Sequence, residues 1–299
     1  MKRVTVIIPM YNAEKYLAEC LSSVDTKLAD VICINDGSTD KTLEIAQKFP
    51  VKIVNNNFNI GQGLCRNIGL AATETDYTIM FLDSDDTYSK DMIPTMLQAV
   101  QGSEYAVCGT RTFGDFYREY GSLRISGHRV LDQDTSLLTP CVCWNKIYRT
   151  DTIKKNYLTF PYNIPEDNAF WFCYTCANLY AGGCYVPEPL YNYRIVDNGS
   201  FAKQNKRINP RYDTISVFFF MYDYLVVIGK YGLIPFLFES YFANFLRHYK
   251  HITGESDDKI IERVGILMKN REMHRDNFKK DYPEVYKVVR KILDKSYII

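Results

Sequence analysis

The sequence predicts an α/β fold: a mainly parallel central sheet flanked by helices, followed by a helical C-terminal region. Three observations carry that prediction. Strand-like and helix-like stretches alternate through the first third of the chain, a βαβα order that builds parallel sheets covered on both faces. Three strand-like runs end in polar clusters: Tyr11-Asn12, Asp36-Gly37-Ser38 and Asp83-Ser84-Asp85-Asp86. After about Pro210 the composition shifts to long stretches rich in Phe, Tyr and Leu.

The elements follow in order. Val4 to Pro9 reads as a strand, Ala13 to Val24 as an amphipathic helix and Val31 to Asn35 as a second strand. Ser38 to Lys48 reads as a helix, Val51 to Asn55 as a strand and Gly63 to Ala72 as a helix. Tyr77 to Leu82 is β-branched, aromatic or aliphatic with no turn former, which marks a buried strand. From about Gly109 to Val130 the pattern weakens into irregular strands or a loop. Cys143 to Tyr148 is strand-like and enters a helix start at Thr150-Asp151. Pro165-Glu166-Asp167 precedes a helical run from Asn168 to Leu179, so both carboxylates lie at a helix N-terminus, where negative charge is favoured. Pro187-Glu188-Pro189 then leads into Tyr191 to Ile195. The apolar run Val217 to Ile228 is interrupted by Asp223 and is shorter than the ~20 residues that span a bilayer. Phe236, Leu237, Phe238, Tyr241, Phe242, Phe245 and Leu246 recur at helical spacing, as a core stripe does; docking to a membrane surface or a second subunit is the alternative.

A chain of 299 residues holds one large α/β domain, or one domain plus a helical annex. Its 46% hydrophobic and 24% charged composition is that of a protein with a buried core. The net charge of +1 singles out neither nucleic acid nor an anionic membrane. Nine cysteines form no regular framework, and Met1 to Pro9 enters a strand without a signal-peptide pattern, so free thiols in a reducing cytoplasm are expected. A four-cysteine zinc site from Cys141, Cys143, Cys173 and Cys176 is opposed by the apolar, helical setting of the last two, where thiols act as small hydrophobes. His128, His248, His251 and His274 have no ligand-like spacing with the acids and take no role.

The chemistry concentrates at strand ends. Asp83, Asp85 and Asp86 gather negative charge after an apolar strand, and hard divalent cations with phosphate on their far side are the usual way to offset it. A solvated acidic turn is the alternative for that segment alone. Gly37 permits a tight turn, and Ser38 or Thr39 can cap the next helix. Asp36 then points out of its strand end as an acceptor, or only satisfies turn amides. The loop Asn59 to Gly69 brings backbone close to a ligand through its glycines, with Arg66 as a planar fork for phosphate oxygens. It is neither a Walker sequence nor a Rossmann fingerprint.

Together these segments resemble the family 2 nucleotide-sugar glycosyltransferases, which have the Rossmann-like GT-A fold. The matching pieces are Val6 to Asn12, Asp36 to Asp40, Arg66-Asn67-Ile68-Gly69, Asp83 to Asp86, Trp144-Asn145-Lys146, Glu166-Asp167 and Tyr193-Arg194. They stand in the family's order and cover about the first 200 residues. The resemblance implies an inverting, metal-dependent transfer of a sugar from a UDP-sugar donor to a hydroxyl of a glycan or lipid-linked saccharide, as in polysaccharide biosynthesis. By position, Pro9, Tyr11, Asn12 and Asp36 would hold uracil and ribose, with Arg66 near the nucleotide. Asp85 would ligate Mn²⁺ or Mg²⁺, Asp83 would contact the nucleoside or assist the metal, Ser84 would stand beside the donor, and Asp86 would touch the donor sugar or acceptor. Asp167 would be the general base, and Arg194 with Ser200 would meet the diphosphate. Asn35 stands where the family often has a second acid, and Cys65 where a small residue is commoner.

The implied organisation is a catalytic domain over 1–209, binding nucleotide-sugar in 1–108 and acceptor in 109–209, then a helical region over 210–299. Peripheral contact with the inner face of a membrane and homo-oligomerisation are expected partners of the aromatic helices. Lys203, Lys206, Arg207 and Arg211 motivate a second reading, the same transfer onto a protein or modified nucleic-acid acceptor. A third, of another class, is a non-catalytic nucleotide-sugar or glycan-binding module.

Overall fold

The structure, a computed structural model, describes residues 4–74, 78–114, 118–120, 129–131, 141–163, 165–178, 182–195, 213–242, 245, 249–250 and 253–269. It divides into two compact units, Met1–Tyr162 with Phe170–Gly199, and Asn163–Ala169 with Ser200–Ile299. The basic residues at 203–211, the four histidines and Ser200 lie outside the described residues.

In the first unit, β1 (Val4–Met10) is buried along its whole length and β2 (Ala29–Asp36) nearly so. Unbroken apolar runs are what strands covered on both faces require. β1 lies parallel to β2 and to β4 (Thr78–Phe81), while β3 (Lys52–Asn56) pairs in parallel with β2. Helices α1 (Leu17–Ser22), α2 (Thr42–Ala46) and α3 (Gln62–Ala71) connect them. The α/β fold with a parallel sheet is therefore present as the sequence predicted. The first two helices are shorter than their periodicity suggests, because the residues before each are drawn into hydrogen-bonded turns. Gly69 lets α3 lie close on the sheet: a Cβ there would come within 2.3 Å of Ile7 Cγ2.

Beyond β4 the sheet becomes mixed. β9 (Lys146–Arg149) runs antiparallel to both β4 and β6 (Tyr105–Gly114). β10 (Gly183–Ile195) is parallel to β6, and β5 (Thr87–Tyr88) is antiparallel to β10. Short strands β7 (Arg118–Tyr120) and β8 (Arg129–Leu131) pair with β6 and β10. The order is β3-β2-β1-β4-β9-β6-β10-β5. The chain thus passes from β4 to the far edge strand in a few residues, across four strand spacings of ~4.8 Å each. A tight turn cannot reach that far across a flat sheet, so the sheet curls toward itself under the acidic segment. α4 (Met92–Ala99) and α5 (Thr150–Lys155) complete the helices lying wholly in this unit. α6 (Glu166–Ala177) follows, and its Phe170 and Tyr174 pack with Tyr148.

In the second unit, α7 (Thr214–Val227) is capped by Asp213, which accepts the Ser216 N–H at 3.1 Å. Asp213 also pairs with Arg263 of α9 (Asp257–Lys269). Between them lie α8 (Ile234–Leu237) and a π-helical turn, Phe238–Phe242. The Phe218 ring meets Phe238, Phe242 and Phe245 at 4.9, 4.6 and 6.4 Å, so the aromatic stripe serves as core. Among the described residues no helix is long and apolar enough to cross a membrane. All nine cysteines are free thiols, and no group of three or more His, Cys, Asp or Glu among the described residues is gathered to hold a metal by itself.

Candidate active site

The C-terminal ends of β1 to β4 carry four loops, on the side where open α/β sheets bind ligands. The first two are laced together. Asn12, in the left-handed region at φ +47, donates its amide N–H to Ser38 Oγ at 3.1 Å and accepts the Thr39 N–H at 2.9 Å. Thr42 Oγ1 accepts the Ala13 N–H at 2.7 Å, Asp40 accepts that of Glu14 and Glu14 that of Lys41, both at 3.1 Å. Pro9 is buried at the end of β1, while Tyr11 is 50% exposed and Phe58, on the third loop, 70% exposed.

Asp36 ties in that third loop. Its carboxylate accepts the N–H groups of Ile60 (2.8 Å) and Gly61 (2.9 Å) and the Asn56 amide (3.2 Å). It is 3% exposed, so of its roughly four acceptor positions about one remains for a ligand. Next to it Gly37 has φ +70, and a Cβ there would lie 2.8 Å from the Phe58 Cα. A Gly37→Ala chain is expected to be less stable by about 1–3 kcal/mol, from backbone strain and displacement of the third loop. Denaturant unfolding measures this; an unchanged midpoint would contradict it.

The three carboxylates after β4 point in three directions. The turn is closed by the Asp86 N–H on the Asp83 carbonyl at 3.0 Å. Asp83 Oδ1 accepts from Arg66 Nη2 at 2.8 Å. Arg66 is fully buried, its guanidinium 5.4 Å from the Phe160 ring centroid, and Asn67 brackets the Phe160 main chain with two bonds of 2.8 Å. Expected near the nucleotide, Arg66 has no exposed surface and positions Asp83.

Asp86 faces sideways into β10. Its Oδ2 accepts the Tyr191 hydroxyl at 2.6 Å and its Oδ1 the Arg194 N–H at 2.7 Å. Expected to touch the donor sugar or acceptor, Asp86 is 1% exposed and held by β10. Burial, then the charges of Asp85 and Asp83, push its carboxyl well above the usual range, while the two donors oppose this. Removing the hydroxyl in Tyr191→Phe is expected to cost about 1–3 kcal/mol, because a buried carboxylate loses a donor. Thermal unfolding tests this, and an unaltered transition would mean that the bond contributes nothing net.

Asp85 is the carboxylate left over. No side-chain donor reaches it among the described residues, and burial followed by the Asp83 charge pushes it up to about 6. Ser84 is half-buried beside it. Arg194 donates from Nε to the Asp85 carbonyl at 2.7 Å and from Nη2 to Glu19 at 2.5 Å, between the rings of Tyr16 and Phe113 at 4.5 and 4.1 Å. Trp144 stacks on Tyr191 and Tyr193, with centroids 4.2 and 5.5 Å apart. The Tyr193 hydroxyl is pushed up to about 12 by burial and then by Asp86, Asp83 and Asp85, so it faces the acids.

A sequence model described as Glycosyl transferase family 2 matches residues 5–170, more than half of the chain. The chain is a family 2 glycosyltransferase. EpsH of Bacillus subtilis, a glycosyltransferase by name, is 30% identical over 229 residues, covering 69% of this chain and 64% of EpsH. The poly(ribitol-phosphate) beta-N-acetylglucosaminyltransferase TarS of Staphylococcus aureus is 28% identical over 189 residues, 57% of this chain and 32% of TarS. The chain thus spans less than two thirds of these relatives. The crystal structure of S. aureus TarS residues 1–349 with UDP-GlcNAc superimposes with TM-score 0.71 at 20% identity, over 99% of this chain and 89% of that one. The mannosyltransferase PcManGT of Pyrobaculum calidifontis, in complex with GDP-Man and Mn²⁺, gives TM-score 0.51 at 12% identity, over 98% and 86%. These similarities establish the GT-A fold, and the family makes the chain a sugar-transferring enzyme.

The adjacent acids in the first turn of α6 belong to the second compact unit. Glu166 is 3% exposed, whereas Asp167 in the same first turn is half-buried. Of the two, Asp167 is the carboxylate with surface to offer a substrate.

Proposed function

We propose that this glycosyltransferase moves a sugar from a UDP-sugar to a hydroxyl of a glycan or lipid-linked saccharide, with inversion and with a divalent metal. The observation that carries this reading is Asp85: a carboxylate without side-chain donors on a turn whose two other acids are pinned. Oxygen donors, one tied to Arg66 and one without a side-chain donor, fit a hard cation such as Mn²⁺ or Mg²⁺ that completes its shell with phosphate and water. Asp85 with Asp83 would hold it, and when bound it would neutralise the charge that grows on the departing diphosphate. The similarity to TarS favours uridine as the base, and its poly(ribitol-phosphate) acceptor favours a hydroxyl-rich cell-surface polymer.

In this reading Tyr11 offers its exposed ring to the nucleobase, and Asp36 reads its edge through the remaining acceptor position. Asp167 takes the proton of the acceptor hydroxyl as it attacks C1 from the face opposite the diphosphate, and the sugar–phosphate bond breaks with its electron pair on UDP. Thermal shift and UDP release, screened over UDP-, GDP-, CMP- and dTDP-sugars with Mn²⁺ or EDTA, test it. Metal-dependent stabilisation and slow UDP release with one UDP-sugar are expected. A preference for another nucleotide, or equal response in EDTA, would overturn the donor or the metal respectively.

A further inference from the structure

The exposed carboxylate of Glu19 stands against the acid turn on α1, outside every segment that carries the family resemblance. Among the described residues its side chain bonds only the Nη2 of Arg194, and it is 58% exposed against 11% for Arg194. Arg194 does not depend on that contact for its place. Its main-chain N–H is bonded to Asp86, its Nε to the Asp85 carbonyl, and the guanidinium lies between the Tyr16 and Phe113 rings. The fork is therefore fixed beside Asp85 by a strand, a carbonyl and two aromatic faces. Glu19 only supplies a counter-charge at one end of it.

We infer that Glu19 occupies, in the donor-free enzyme, the place on Arg194 that a diphosphate oxygen takes when the donor binds, and so sets donor affinity. The inference rests on the nucleoside-diphosphate reading of the acid turn. Water screens the Glu19 end of the pair, whose side chain is 58% exposed, and this leaves the contact weak enough to exchange. A diphosphate brings more charge than one carboxylate and matches the planar guanidinium fork through two oxygens. Nη1 of Arg194 has no partner among the described residues, which leaves both ends of the fork available once Glu19 swings away. No atom of the fork has to move for the exchange, only the carboxylate of an exposed, flexible side chain. Glu19 is thus an affinity-setting residue rather than a catalytic one.

The test is isothermal titration of UDP with Mn²⁺ into the full chain and into Glu19→Gln and Glu19→Ala. Both variants are expected to bind UDP roughly two- to fivefold tighter, the factor that corresponds to releasing an exposed pair. The donor KM is expected to fall by the same factor. In an Arg194→Met background the Glu19→Gln gain is expected to vanish, because there is no fork to liberate. Unchanged or weaker binding in Glu19→Gln, with UDP still bound by the parent, would overturn the exchange and leave the donor site standing. A gain that persists without Arg194 would reduce the effect to general charge and also overturn it. No UDP binding by the parent at all would remove the donor reading and this inference together.

Discussion

An Asp167→Asn chain is expected to bind UDP-sugar and Mn²⁺ like the parent and to transfer the sugar roughly 10²–10⁴-fold more slowly. The substitution preserves shape and removes only the ability to accept a proton from the acceptor hydroxyl. Its neighbour cannot take over: Glu166 is 3% exposed and sits one residue earlier on α6, pointing elsewhere around the helix. A single-turnover measurement separates chemistry from product release, and calorimetry reports donor binding independently. Near-parental turnover would take Asp167 out of the mechanism. Lost donor binding would instead give it a role in the ground state.

The second large effect is expected at Arg66. Arg66→Met keeps a long apolar stem against Phe160 but deletes the fork that holds Asp83. Breaking a fully buried ion pair costs about 3–5 kcal/mol. Asp83 is 25% exposed on its side chain, and water softens its loss, so about 2–3 kcal/mol is the expected destabilisation. Mn²⁺ affinity is expected to fall as well, because the freed Asp83 no longer has one orientation. Denaturant midpoints and a metal titration followed by electron paramagnetic resonance give the two numbers. Normal stability with normal metal affinity would show that Asp83 is placed by the turn alone.

Much of this was legible in the sequence, and the reasons are local. Val4 to Met10 announces itself because a strand buried on both faces must be apolar throughout. Gly37 is readable as a tight turn, since glycine enters the positive-φ region without steric cost. The acidic tract is readable as a charge cluster. What could not be read is which acid faces which way, because that is decided by partners far along the chain: Tyr191 for Asp86 at a separation of 105 residues and Arg66 for Asp83 at 17. Arg66 looked like a phosphate ligand because guanidinium forks suit phosphates and buried carboxylates equally. The place of Glu19 against Arg194 left no local signal at all, since an acid on a surface helix is ordinary. A polar tip recurring at the end of a late strand, as in Tyr191-Asn192-Tyr193-Arg194, is the one hint that the strand ends at a site.

The bond from Tyr191 to Asp86 also has a consequence for the order in which the enzyme becomes competent. The family match ends at residue 170, yet the strand that orients Asp86 and delivers Arg194 to the Asp85 carbonyl runs from Gly183 to Ile195. During synthesis, strands β1 to β4 can pair as soon as they emerge, whereas contacts of such long sequence separation close late. The nascent chain thus carries the acidic tract well before it carries the strand that orients Asp86. On the proposed reading the donor would meet Arg194 only after β10 has docked, so donor binding would report on completion of folding rather than on the presence of the motif.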